Sequence, residues 1–203
     1  MNKSIIKKYI VYTIGVLVLG AGIAISDASL LGTDSFSVLL NAVTKMTGIS
    51  MGIVNAVVCA LQIVIGYIFD RKNVTLATFI SLFASSIGID LMAMFLPSNP
   101  STVVKVILMI VGILVYTFGT ALSEFPHCGY NTYDCLIFSM ANIFHTNNYA
   151  HVRWGVDGAF LVVGYLLGGT VGICTVLVFV TAGKLVEFYL KLFKKIGFSF
   201  DKK

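Results

Sequence analysis

Charged residues are scarce in this sequence of 203 residues, which excludes an ordinary water-soluble domain. Asp, Glu, Lys and Arg make up 11% of the chain, whereas a soluble domain usually carries about a quarter. Apolar residues make up 58%, and the mean hydropathy is +0.94. They form blocks bounded by charges, as expected of a chain that has lipid as its solvent. We therefore predict an integral membrane protein built from α-helices.

The motifs of soluble enzymes are also missing. The sequence contains no G-x-S-x-G, no P-loop and no glycine-rich dinucleotide fingerprint, so we expect neither an enzyme nor a cofactor. Four cysteines without a C-x-x-C pair exclude a redox motif and a disulfide framework. Several His and Cys residues cluster in sequence, but their spacing fits no zinc pattern, so we predict no metal site. They are His127, Cys128, Cys135, His145 and His151.

Six apolar blocks approach the roughly 20 residues that a membrane-crossing helix needs. They are residues 9–27, 51–69, 74–96, 103–123, 152–170 and 171–192. We expect the first block to remain as an uncleaved span, because the other blocks are equally apolar.

The basic residues lie at the ends of these blocks. If the N-terminus is inside, the outer segments hold only Lys45 and Lys105, so the positive-inside rule predicts two cytoplasmic termini. The inner segments then hold Lys3, Lys7, Lys8, Arg71, Lys72, Arg153 and a basic tail, 193–203. No continuous basic face interleaved with aromatics is present, so we expect no nucleic-acid partner.

An internal repeat emerges when the sequence is shifted by about 97 positions. The aligned pairs include Gly15 with Gly112, Gly22 with Gly119, Gly32 with Gly129, Leu39 with Leu136, Thr78 with Thr175 and Asp90 with Glu187. We predict a single membrane domain, 1–203, with repeats at about 9–96 and 103–192. Three spans per repeat is an odd number, so the second repeat is inverted, as in many secondary transporters. Duplication in a protein that does not transport is the alternative.

Each repeat has a polar elbow after its first span. The elbows are residues 31–39 and 128–136, and apolar stretches too short to span, 35–46 and 132–144, follow them. Gly32 and Gly129 would allow positive φ at the turns, and Thr33, Asp34 or Ser35, and Thr132, are suitable N-cap residues. A helix N-terminus that points into the protein suits an anionic or carbonyl-bearing solute. An amphipathic helix at the membrane interface is the alternative.

The chain resembles the YczE/YyaS/YitT family of bacterial membrane proteins. The resemblance rests on Gly20-Ala21-Gly22-Ile23-Ala24 with Leu31-Gly32, on the Gly-x-x-x-Tyr-Asp-x-Leu elbow at 129–136, and on residues 168–175. It implies a small multi-pass protein of the bacterial cell membrane, in a family sometimes suspected of transport. The family elbow typically reads Pro-aromatic-Asp. Here both prolines are absent, and Asp134 alone keeps the acid.

Ionisable residues within the spans are expected to have a structural or functional role, because inserting each one at the bilayer centre costs about 2.5–3.5 kcal/mol. Arg153 with Asp157, and Lys184 with Glu187, are spaced so that they could pair along one helix face. Asp90 and Asp157 are the candidates for proton coupling. The predicted solute site comprises Asp34, Tyr130, Asn131, Tyr133, Asp134, Trp154 and Asp157.

We therefore expect a carrier of a small organic solute, with its site where the two inverted repeats meet. One alternative is the substrate-binding component of an energy-coupling-factor importer, which would dock a partner membrane subunit through Gly20, Ala24 and Ala28. The same stripe could support a homodimer. A non-transporting membrane scaffold is the third interpretation.

Overall fold

A computed structural model describes residues 3–196, and every regular element in this range is a helix. The predicted basic tail therefore lies outside the described residues from 197 onward. Within this range the chain forms eight α-helices: α1 (Lys3–Ala28), α2 (Ser35–Thr47), α3 (Met51–Phe69), α4 (Leu76–Ala93), α5 (Thr102–Glu124), α6 (Thr132–Ile143), α7 (Tyr149–Leu166) and α8 (Ile173–Lys195).

Five of these helices, counted over residues 3–196, are long and apolar enough to cross a membrane: α1, α3, α4, α5 and α8. The predicted fifth block corresponds to α7, which is not among them. Its first half carries Arg153 and Asp157 and lowers its hydropathy. Five apolar helices fit a multi-pass membrane protein, and the sixth span stays a prediction.

Many large apolar side chains lie on the outside of the described helices, while polar side chains are buried between the helices together with other apolar ones. Along α3, one stripe of apolar residues is more than half exposed: Ile53, Val57, Leu61, Val64 and Ile68. The opposite face buries Asn55 and Gln62, each 2% exposed. This distribution suits a protein that has hydrocarbon around it and polar groups inside it.

At the centre of the molecule α1 and α5 run antiparallel in close backbone contact. Four glycines make the contact, and a Cβ atom on any of them would collide with the facing helix. Gly15 faces Ser123, Gly112 faces Ser26, Gly22 faces Tyr116, and Gly119 faces Leu19. The contacts form two reciprocal pairs, in which each residue of one contact lies 97 positions from its equivalent in the other contact. Small residues at such crossings let membrane helices approach closely.

The remaining helices pack around this pair in a reciprocal order. Helix α4 packs on α1, and α8 packs on α5, while the short helices exchange partners, α2 with α7 and α6 with α3. One break in this order concerns the last two helices of each half. Helices α3 and α4 pack along each other, but Gly155 and Gly158 of α7 and Gly183 of α8 face open space.

The two elbows turn at glycines with positive φ, 97° at Gly32 and 146° at Gly129. Both short helices begin at the predicted positions. Asp34 caps α2, whereas Asn131 caps α6 and not the predicted Thr132. The cap falls one residue earlier because Thr132 turns towards Ser81 and Cys59 of the first half.

Candidate functional site

A cavity of about 490 Å³ lies between the two halves, and residues from all eight helices of the described chain line it. A volume of this size suits a small organic molecule. Six of the seven predicted site residues lie on its wall: Asp34, Asn131, Tyr133, Asp134, Trp154 and Asp157. Both elbows therefore reach the same space.

Two predicted residues, Tyr130 and Asp90, lie away from this wall. The Tyr130 ring packs on Phe138, with 4.6 Å between ring centroids, and its backbone carbonyl accepts a hydrogen bond from Thr78. Asp90 binds the start of α3, where its carboxylate accepts the Gly52 N–H and the Ser50 hydroxyl, each at 2.8 Å. Asp90 therefore caps the N-terminus of α3 and joins α4 to α3.

Replacing Asp90 by alanine is expected to lower the stability of the fold. The variant loses two acceptors at the N-terminus of α3, which corresponds to about 1–2 kcal/mol. Thermal unfolding in detergent should show a lower midpoint, and Asp90→Asn should lose less because it keeps one oxygen acceptor. An unfolding midpoint of Asp90→Ala equal to that of the wild-type protein would contradict this assignment.

The first elbow contributes Asp34 to the cavity. One carboxylate oxygen accepts the Ser37 N–H at 3.2 Å, and the other lies 3.4 Å from the Thr33 hydroxyl. Burial raises the pKa of Asp34, while the hydrogen bonds from Ser37 oppose the rise. The free donors at the N-terminus of α2 therefore already have an acid beside them.

The second elbow contributes Asn131 and Asp134. The Asn131 side chain accepts the Asp134 N–H at 2.8 Å, and the Asp134 carboxylate lies 3.9 Å from the Arg153 guanidinium. Burial raises the pKa of Asp134, and the positive charge of Arg153 opposes the rise. An acid therefore lies at the N-terminus of α6 as it does at that of α2.

Both ion pairs predicted along single helices are wrong. Arg153 reaches from α7 to Asp134 of α6, because these helices lie side by side, and Asp157 instead accepts the Tyr133 hydroxyl at 2.6 Å. At the other predicted pair, Glu187 binds Lys191 at 2.7 Å one turn further along α8. Lys191 is four residues from Glu187, a spacing that places the two side chains on one face.

Aromatic rings join the two elbows across the cavity. The ring of Phe36, from the first elbow, lies 5.8 Å from that of Tyr133, from the second. Phe160 of α7 contacts both, at 5.4 and 6.2 Å. The Arg153 guanidinium lies 5.5 Å from the Tyr133 centroid. The cavity thus combines carboxylates, one guanidinium and aromatic faces.

Polar residues of the first half form a wall that the sequence did not single out. Asn55 donates to Ser85 and Ser86 at 2.9 and 3.0 Å, and Ser81 accepts the Thr132 N–H at 3.1 Å. Other lining residues that we did not predict are Cys59, Tyr116, Thr120, Glu124 and Thr175. The repeat offered a signal for Glu124, which lies 97 positions after the acid Asp27 at the end of α1. The serines offered no such signal, because their role depends on which face of α4 is buried.

Comparison with known proteins places the chain among proteins without an assigned activity. The model of a family of unknown function, DUF6198, matches residues 6–191. The uncharacterized protein YyaS of Bacillus subtilis is 28% identical over 192 residues, covering 93% of this chain and 94% of the relative. An uncharacterized protein of Haemophilus influenzae is 27% identical over 180 residues, covering 88% and 81%. No solved structure matches. The resemblance to the YyaS family is confirmed.

Proposed function

The chain belongs to DUF6198, a family of unknown function, and we propose that it is a small membrane carrier of an organic solute. The cavity between the two halves carries this proposal. It receives the elbows of both halves, and its wall holds ionisable and aromatic side chains. Irregular backbone at membrane depth is tolerated where it lines such a cavity, and carriers built from repeats bind solutes where the repeats meet.

We further propose that residues 9–96 and 103–192 are inverted repeats and that α7 is the sixth span. The antiparallel contact of α1 with α5 supports this, because reciprocal glycines make it at a constant offset of 97. The exchange of the short helices supports it independently, since α2 packs on α7 as α6 packs on α3. Repeats of opposite direction related in this way allow alternating access.

The different packing of the two halves is consistent with one state of such a cycle. Helices α3 and α4 are joined through Asp90 and Asn55, whereas α7 and α8 leave glycines facing open space. In the opposite state we expect α7 and α8 to close and α3 and α4 to separate. The hydrogen bonds of Asn55 with Ser85 and Ser86 would then break.

The two alternative functions have less support. A substrate-binding component of an importer would need the stripe at Gly20, Ala24 and Ala28 as a docking face. Gly20 instead lies against the Ser85 carbonyl of α4, and Ala24 is 5% exposed. Because Gly20 and Ala24 are covered in this way, they are not available as a homodimer face either. A scaffold would not need a cavity lined by side chains of opposite charge, although a scaffold remains the alternative if no solute moves.

Uptake of a labelled metabolite mixture tests the proposal across many candidate solutes at once. Proteoliposomes that contain the full chain would be incubated with a ¹³C-labelled bacterial extract, and their contents would be identified by mass spectrometry. We expect at least one compound to accumulate above its level in protein-free liposomes. Glu187→Gln is a suitable control, because it removes an exposed carboxylate outside the cavity.

Two results would count against a carrier that uses this cavity. In the first, no compound accumulates in either direction of loading, although the protein is folded by size-exclusion chromatography. In the second, a compound accumulates but filling the cavity with Thr120→Trp leaves its rate unchanged. In that case the solute passes elsewhere.

A further inference from the structure

We infer that the solute is an organic cation, an ammonium or guanidinium compound with a small apolar group; this inference rests on the proposed carrier function. The charges of the cavity support a cation. Four acids line it, namely Asp34, Glu124, Asp134 and Asp157, and among its described lining residues Arg153 is the one Lys or Arg. Fully ionised, these groups would give four negative charges and one positive charge, a net charge of −3. Burial raises the pKa of Asp34 and Asp134 and makes the wall less negative, whereas a bound cation favours their ionised forms. Such a wall attracts cations and repels anions.

The helix N-termini do not offset this charge. A free helix N-terminus would favour an anion, and the sequence alone suggested one. In the structure Asp34 already accepts an N–H of α2, and Asn131 accepts an N–H of α6. Asp134 then adds a carboxylate in the first turn of α6. An incoming anion would meet these carboxylates at the N-termini of α2 and α6.

Arg153 indicates the kind of group that the site accommodates. Its guanidinium lies over the Tyr133 ring at 5.5 Å and beside the Asp134 carboxylate at 3.9 Å. Aromatic faces and carboxylates together are the usual surroundings of a bound ammonium or guanidinium group. The closest atoms of the pair are 3.9 Å apart, too far for a hydrogen bond, and the Arg153 side chain is 50% exposed, so a competing cation can displace it. Arg153 therefore acts as a tethered cation that a solute cation replaces.

The aromatic wall favours an organic over an inorganic cation. Phe36, Tyr133 and Trp154 present ring surface to the cavity, and such surface binds alkylated ammonium groups well. The volume of about 490 Å³ far exceeds what a bare metal ion needs. No group of three His, Cys, Asp or Glu residues in the described chain is arranged to hold a metal ion. A cation with an apolar substituent would use both the charge and the rings.

The fluorescence of Trp154 provides a direct measurement, because it is the single tryptophan of the chain and lies on the cavity wall. Purified full-length protein would be titrated with benzyltrimethylammonium, with neutral benzyl alcohol and with anionic benzenesulfonate, all at constant ionic strength. We expect saturable quenching by the cation at concentrations at least tenfold below any effect of the other two. Potassium chloride tests for an inorganic cation.

Substitutions then separate cation binding from other causes of quenching. Asp157→Asn and Asp34→Asn should each weaken benzyltrimethylammonium binding at least tenfold, while Glu187→Gln should leave it unchanged. Arg153→Gln should strengthen binding about three- to tenfold, because it removes the competing guanidinium. An anionic solute would require the opposite, since loss of Arg153 would abolish its binding. Size-exclusion profiles identify any variant that fails to fold. If either Asp157→Asn or Asp34→Asn fails to fold, the other variant tests whether the acids bind the cation.

The possible failures are distinguishable. Tighter binding of benzenesulfonate, or weaker binding of the cation in Arg153→Gln, overturns the cationic class but leaves the carrier in place. Equal quenching by potassium chloride overturns the organic character. No response to benzyltrimethylammonium overturns the inference as well, and uptake from the labelled extract then shows independently whether the carrier function survives.

Discussion

Replacing Asp157 by asparagine is expected to reduce solute uptake by about 10- to 100-fold. The Asp157 carboxylate lies on the cavity wall and accepts the Tyr133 hydroxyl at 2.6 Å. Asparagine keeps the size and an oxygen acceptor, so the hydrogen bond and the fold should persist while the charge is lost. The solute would lose its interaction with the Asp157 charge. A hydrogen bond to a charged group contributes about 1.5–3 kcal/mol, and about 1.4 kcal/mol corresponds to a factor of ten.

The measurement is the initial rate of uptake for the compounds that the wild-type protein accumulates from the labelled extract. Glu187→Gln removes a carboxylate of equal charge from an exposed position and should retain the wild-type rate. Asp134→Asn should also slow uptake, but less, because Arg153 already neutralises part of this charge. If Asp157→Asn and Asp134→Asn both transport at the wild-type rate, these acids do not contact the solute.

Replacing Gly119 by alanine is expected to destabilise the protein by about 3 kcal/mol or more, because the added methyl group has no space. The methyl carbon would lie 2.7 Å from the Leu19 Cα in the facing helix α1. Helix α1 cannot move away without losing its contacts with α4. The reciprocal substitution Gly22→Ala meets the Tyr116 Cα at 2.5 Å and should cost a similar amount.

Gly155→Ala is the matched control, since a methyl group there meets no atom within 4 Å. The same chemical change should be neutral or stabilising by up to about 1 kcal/mol, because alanine favours a helix over glycine. Thermal unfolding in detergent would measure all three variants. A Gly119→Ala midpoint at or above the wild-type value would mean that the α1–α5 contact is looser than described.

The sequence predicted the helices well because lipid imposes a simple rule on them. Apolar blocks of fixed length must be helical, so α3 and α5 were located within a residue or two. The elbow glycines were recognisable because positive φ favours glycine. For α7 the same rule was insufficient. Arg153 and Asp157 lower its hydropathy, so whether it crosses the membrane depends on partners from other helices.

The lining of the cavity was predicted where its residues follow one another in sequence, and less well where packing brings them together. Tyr133, Asp134 and Asp157 could be named from the elbow and from the cost of burying charge. The contribution of Asn55, Ser81 and Ser85 could not, because it depends on how α3 and α4 face the second half. The predicted partner of Arg153, Asp157, was wrong for the same reason. Spacing along one helix says nothing about a closer acid on its neighbour.

The reciprocal glycine contacts also bear on how such a molecule could have arisen. A surface whose residues meet their own counterparts is self-complementary, as in a twofold homodimer. Under the inverted repeat proposed above, an ancestral polypeptide with half of this length would have carried both sides of the α1–α5 seam on a single surface. Two copies could have joined only if they were inserted in opposite directions. Gene fusion would then have fixed one copy in each direction, after which the charges flanking each half were free to diverge.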